Sequence, residues 1–129
     1  MIGVFDSGFG GLVVLQEFLA LLPRYDYLYL GDNARIPYGT RSDRVVIRFT
    51  EQAVDFLFRQ GCELIILACH TASAKALRTI QQKYLPEHYP ERRVLGVLIP
   101  TVEEALARSP RKRVGVIATE GTVTSRSFE

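Results

Sequence analysis

The sequence predicts an α/β fold, an open and mostly parallel sheet with helices on both faces. Three observations carry this expectation. Short apolar runs recur along the chain, each followed by a cluster of Gly, Asp, Asn, Thr or Ser and then by a longer amphipathic stretch, which is a βα repeat. The runs lack the apolar/polar alternation of a half-solvated strand, so they read as strands covered on both faces, the habit of parallel sheets. Right-handed crossovers between such strands place helices on both sides, in a doubly wound arrangement whose ligands bind at the C-terminal strand edge.

Taken in order, the first strand is expected at Ile2–Phe5, and the glycine-rich turn Asp6-Ser7-Gly8-Phe9-Gly10-Gly11 opens a helix over Gly11–Leu22 that Pro23 stops. A second strand follows at Tyr27–Leu30. A helix over Ser42–Gln60 has capping-box spacing at Thr40-Arg41-Ser42-Asp43 and a terminating glycine at Gly61. The third strand is Leu64–Cys69, with a helix over Ala72–Tyr84 behind it. The polar stretch Pro86–Arg93 is the one shift in composition and marks a lobe boundary. Beyond it come a strand at Val94–Ile99, a helix at Val102–Arg108, a strand at Val114–Ala118 and a loop from Thr119 that opens a fifth helix. Residues 1–93 therefore read as an N-terminal α/β lobe. Residues 94–129 read as the crossover and first strand of a second lobe, so the chain is expected to be a fragment of a longer protein.

A chain of 129 residues can bury one core. With 47% hydrophobic and 23% charged residues it is neither disordered, collagenous nor a disulfide scaffold. The net charge of +2 gives no strong single-sign field, so nucleic acid and anionic membrane are not expected partners. Arg108, Arg111, Lys112 and Arg113 read as a solvated basic run. The longest apolar runs, such as Leu64–Cys69, fall far short of the ~20 residues of a membrane span. The N-terminus lacks the basic region of a secretory signal, and the expected location is cytoplasmic. Cys62 and Cys69 are spaced as neither a disulfide framework nor a metal site, and in a reducing compartment they are expected to be free thiols.

The residues that follow each strand collect at one sheet edge: Asp6-Ser7-Gly8, Gly31-Asp32-Asn33, Cys69-His70-Thr71, Pro100-Thr101, and Thr119 with Thr122. Each polar residue alone is ordinary turn chemistry. Their convergence is what suggests a site. The Asp6–Gly11 turn fits neither G-x-G-x-x-G nor a P-loop, so a small anion suits it better than a nucleotide. Cys69 ends the most apolar strand and opens a helix, a position that favours thiolate as readily as it suits an inert buried cysteine. Cys62 precedes the same strand, about 23 Å away at ~3.3 Å per residue, and cannot share a site with Cys69. His70 beside Cys69 raises a Cys/His nucleophile pair, although adjacent residues at a strand end diverge. Ile36-Pro37-Tyr38-Gly39 is a rigid turn or a lid that presents a hydroxyl and a backbone amide to a ligand.

Five motifs in order, Gly3–Gly11, Gly31-Asp32, Pro37-Tyr38-Gly39, Ala68-Cys69-His70-Thr71-Ala72-Ser73-Ala74 and Gly115–Thr119, resemble the cofactor-independent aspartate/glutamate racemases, and in particular the glutamate racemase family. The resemblance spans the chain. It implies a Rossmann-like lobe and a glutamate-racemising activity that supplies D-glutamate for peptidoglycan, with no cofactor and no metal. It also implies that Cys69 is one of two acid/base cysteines. Asp6, Ser7, Tyr38, Gly39, His70 and Thr71 match substrate-contacting positions, and Thr119 and Thr122 match hydroxyls around the substrate carboxylate. The family carries Asn where this chain has His70. Its second catalytic cysteine, followed by Thr-His, lies later than these motifs reach.

The chemistry explains the pair of thiols. Inverting an α-carbon takes a base on one face and an acid on the other, with the carbanion held by hydrogen bonds to the carboxylate. The substrate implied is glutamate, with aspartate or another amino acid as the alternative within the superfamily. An acidic-ligand-binding module and a cysteine-nucleophile hydrolase are the readings from other classes, and a homodimer is compatible with all of them.

Overall fold

In the computed structural model, which describes residues 1–128, four strands form one sheet in the order β2-β1-β3-β4. They are β1 (Ile2–Asp6), β2 (Tyr27–Gly31), β3 (Leu64–Leu67) and β4 (Arg93–Gly96). Every pairing is parallel, with Val4 opposite both Tyr29 and Ile66, and Ile65 opposite Val94. The expected parallel α/β sheet is thus present. Glu129, the last residue of the expected second-lobe segment, lies outside the described residues.

The core follows from β1, β3 and the helix α2 (Asp43–Arg59). Phe5, Ile65 and Leu67 are buried on one face of the sheet, and α2 lays Val46, Thr50, Ala53, Val54, Leu57 and Phe58 against them at helical spacing, while Val4 is buried on the other face. Ser42 precedes α2 but makes no side-chain cap, so the expected capping box does not form. Gly61 does end the helix as expected, at φ +90, a conformation that favours glycine.

After β3 the chain runs through α3 (His70–Lys75), α4 (Leu77–Thr79), a π-helical turn (Ile80–Tyr84) and α5 (Leu85–His88), which together replace the single helix expected over 72–84. Ala72, Ala76, Ile80 and Leu85 carry the buried side through these joints. His88 is exposed and sits edge-on to Tyr84.

Three further expectations are corrected. The strand expected at Val94–Ile99 stops at Gly96, because α6 (Leu98–Arg108) starts two residues later with Pro100 in its first turn, where a missing N–H costs nothing. Strand β2 is half-buried at every position rather than covered on both faces, as befits the sheet edge. Val114–Ala118 is not a strand. No strand lies beside it among the described residues, and Ile117 is fully exposed.

The helix α1 (Gly11–Leu21) is apolar nearly all round, yet of its residues only Gly11 is buried, and Val13, Leu19 and Leu21 face solvent. None of the described helices is long and apolar enough to cross a membrane. A last short helix, α7 (Glu120–Thr124), packs on α3.

Candidate active site

The C-terminal ends of β1 and β3 open into a cleft of about 870 Å³. Asp6, Ser7, Cys69, His70, Thr71, Thr119 and Thr122 line it, together with Thr101 and the Val114–Ala118 segment. Sequence reasoning therefore brought most of its candidates to one place. Tyr38 and Gly39 are the exceptions and stand behind the cleft wall.

Asp6 ends β1 and is buried. Its Oδ2 accepts hydrogen bonds from the backbone N–H of Gly8 at 3.1 Å and of Gly11 at 3.0 Å, which closes the turn and satisfies an orphan donor at the start of α1. Gly11 is required by space: a Cβ there would stand 2.7 Å from Asp6 Cβ and 3.0 Å from Ala68 Cβ. Tyr29, from β2, donates its hydroxyl to the Gly8 carbonyl at 2.9 Å. Burial first, and then the Asp6 carboxylate, push the Tyr29 phenol up to about 12.

Cys69 caps α3. Its sulfur accepts from Ala72 N–H at 3.4 Å and donates to Ser7 Oγ at 3.4 Å, so the two thiol contacts run to the helix and to the β1 turn. His70 is exposed at the first position of the helix and lines the cleft. The sulfur's hydrogen bonds thus favour a Cys69–Ser7 unit over a Cys69–His70 pair. Cys62 is buried at the other end of β3, against Gly3, and burial pushes its thiol up. Both cysteines are free.

Three hydroxyls complete the cleft. Thr71 Oγ1 lies 2.9 Å from Thr119 Oγ1 and 3.4 Å from Thr122 Oγ1, and the latter two are 3.0 Å apart. Thr119 also caps α7 through Thr122 N–H. The segment is fixed from outside by Gly121 N–H donating to the Gly39 carbonyl at 2.9 Å. Thr101, expected in a loop at the strand edge, instead lies in α6 and donates to the Val97 carbonyl.

Tyr38 is buried between Phe5 and Phe49, and its hydroxyl donates to Asp32 rather than facing the cleft. Burial, then that bond, push its phenol well up. Sequence reasoning missed Lys75, whose side chain is 7% exposed and whose Nζ pairs with Asp43 at 3.0 Å and donates to the Arg41 carbonyl. A lysine on a helix reads as solvated, and only the packing of α7 over it reveals otherwise. Among the described residues no group of acidic, His or Cys side chains is arranged to hold a metal ion.

Fold and sequence together match a class of isomerases, the amino-acid racemases. No family model matches the chain. Its curated relatives are glutamate racemases: it is 42% identical to that of Aquifex aeolicus over 128 residues, and 44% identical to that of Ruegeria pomeroyi over 138. In each case the match covers 99% of this chain but 48% and 50% of the relative, so the chain spans about half the length of the curated relatives it matches. Solved structures agree. The glutamate racemase of Aquifex pyrophilus superposes with a TM-score of 0.89 at 42% identity, covering 98% of this chain and 50% of that one. The Francisella tularensis glutamate racemase, solved in complex with D-glutamate, gives 0.85 at 39% identity, covering 98% and 45%. The chain is thus a homologue of glutamate racemases along essentially its whole length.

Proposed function

We propose that this chain forms one lobe of a glutamate racemase and contributes one face of a two-thiol site. The observation that carries the reading is the convergence of Cys69 with Ser7 and three threonine hydroxyls in a single cleft. Cys69, as thiolate, takes the α-proton of glutamate. The developing carbanion is held through the α-carboxylate by hydroxyl donors from Thr71, Thr119 and Thr122, with Ser7 at the sulfur. Asp6 supplies the one carboxylate among the cleft-lining residues, the charge that suits a substrate ammonium. His70 lines the same cleft at the position expected to meet substrate.

Inversion needs a second acid on the opposite face. Cys62 cannot serve, being at the far end of β3, so the partner thiol would come from outside residues 1–128. The lobe boundary at residue 93 shifts under this reading: α7 and its hydroxyls work with the first lobe, whereas α6 and the unpaired Val114–Ala118 segment face the second. The pathway role that follows is supply of D-glutamate for peptidoglycan, in the cytoplasm.

Circular dichroism of L-glutamate with the complete gene product tests the proposal. Loss of optical activity without added cofactor is expected. Turnover of aspartate alone would move the substrate to the alternative amino acid, and inertness toward both would leave a binding module. The 129-residue chain by itself is expected to exchange the α-proton of glutamate in deuterated water slowly or not at all, with no accumulation of the other enantiomer.

A further inference from the structure

We infer that Asp32 is a positioning residue of this site, holding the hydroxyl trio in place through Tyr38 and the Gly39 carbonyl. The inference rests on the racemase reading for what the trio does, and on geometry alone for how it is held. Asp32 follows β2 and is anchored to the strand beside it, its N–H donating to the Asp6 carbonyl at 2.9 Å. Its Oδ2 accepts from Tyr38 O–H and from Arg35 Nε at 2.6 Å. Arg35 is itself fixed by Gln52 and lies over the Phe49 ring at 4.3 Å. The carboxylate therefore has little freedom, and neither has the phenol it holds.

The next residue passes this order on. Gly39 O accepts from Gly121 N–H, the contact that fastens α7 to the turn. The two backbones meet so closely that a Cβ on Gly39 would stand 2.7 Å from Thr119 Cβ, and one on Gly121 would stand 2.6 Å from Gly39 O. Any slide of the 37–39 turn thus moves Thr119 and Thr122 relative to Thr71. Asp32 does not itself line the cleft, and its effect on chemistry runs through placement of those hydroxyls.

Amide hydrogen exchange on the 129-residue chain, read residue by residue by NMR, tests the inference. Asp32→Ala and Tyr38→Phe should each speed exchange at Gly121 by about five- to tenfold, the effect of losing one net hydrogen bond. The double variant should do no more than either single one. Asp32→Asn, which keeps an acceptor for the phenol, should stay near the parent value, and β1 and β3 amides should not change in any of them. Gly121 protection that survives both single variants would overturn the inference, as would additive effects or losses spread through the sheet. A titration with D-glutamate separates the two levels of argument. Shifts at Thr119 and Thr122 in the parent chain that shrink in Asp32→Ala support the positioning role, and full-sized shifts in that variant contradict it. If the parent chain shows no shifts, this lobe does not hold the substrate by itself, and the exchange data alone decide the positioning role.

Discussion

The thiol of Cys69 and the hydroxyl of Ser7, 62 positions apart in sequence, meet at 3.4 Å where β3 and β1 end side by side. The parallel register makes this contact. Phe5 pairs with Leu67, so the residues two beyond each of them arrive at the same height above the sheet.

Selective alkylation follows from where the two thiols lie. Cys69 lines an open cleft, whereas Cys62 is fully buried and its thiol is pushed up by that burial. Iodoacetamide at neutral pH is expected to label Cys69 alone in the folded chain and both cysteines in denaturant, as peptide mass mapping would show. Labelling of Cys62 first in the folded chain would contradict the assignment.

Replacement of Cys69 by Ser should leave the fold intact and remove activity. The change keeps a small polar cap on α3, so the unfolding midpoint should move little. Racemisation by the complete gene product should fall at least about 10²-fold, the low end of what a positioned acid/base provides. Circular dichroism of L-glutamate measures the rate, and a variant as active as the parent would refute the role of the thiol.

Alkali should unfold the chain in step with tyrosine ionisation. Tyr29 and Tyr84 are each pushed up to about 12, in both cases by burial first, from an ordinary value of 10.0. A raised phenol in the fold favours the neutral form. That contribution is complete below pH 10 and is lost as pH climbs toward about 12. Tyrosinate absorbance of these residues should therefore appear together with loss of far-ultraviolet ellipticity, and ionisation well ahead of unfolding would contradict the packing described.

Gly11→Ala should be destabilising although alanine is the better helix former. The added methyl would enter a gap of 2.7 Å to Asp6 Cβ, with Ala68 Cβ 3.0 Å away, neither of which is a flexible side-chain end. A loss of about 1–3 kcal/mol is expected from overpacking, measured by urea unfolding. A neutral or stabilising result would mean that α1 is free to lift from β1.

The parallel sheet was legible because each βα unit carries its own signals: the apolar run, the turn residues, then the helical spacing that α2 shows from Val46 to Phe58. Cys69, Ser7 and Thr71 were legible for the same reason, since strand ends in such a sheet share one edge, whereas Thr119 and Thr122 reach the cleft from the start of α7 with no strand before them. Tyr38 was not. Nothing in Pro37-Tyr38-Gly39 says whether the ring points to the cleft or inward, and the choice is made by Phe5, Phe49 and Asp32, which are distant in sequence. Val114–Ala118 has the composition of a strand, but strand formation depends on a neighbour to pair with, and a sequence window contains no neighbours.

The order in which the chain is made separates scaffold from site. Among the described residues, every strand and every buried apolar side chain of the core has been supplied by residue 98, whereas Thr119 and Thr122 come only with the last described helix. A nascent chain emerging from the ribosome can therefore complete its sheet, bury Cys62 and set Cys69 on its cap before Thr119 and Thr122 exist to join Thr71 in gripping a carboxylate beside it. The thiol is in place first, and the hydroxyls that complete its surroundings close over it last, against a carbonyl at Gly39 that has been waiting since the second crossover was folded.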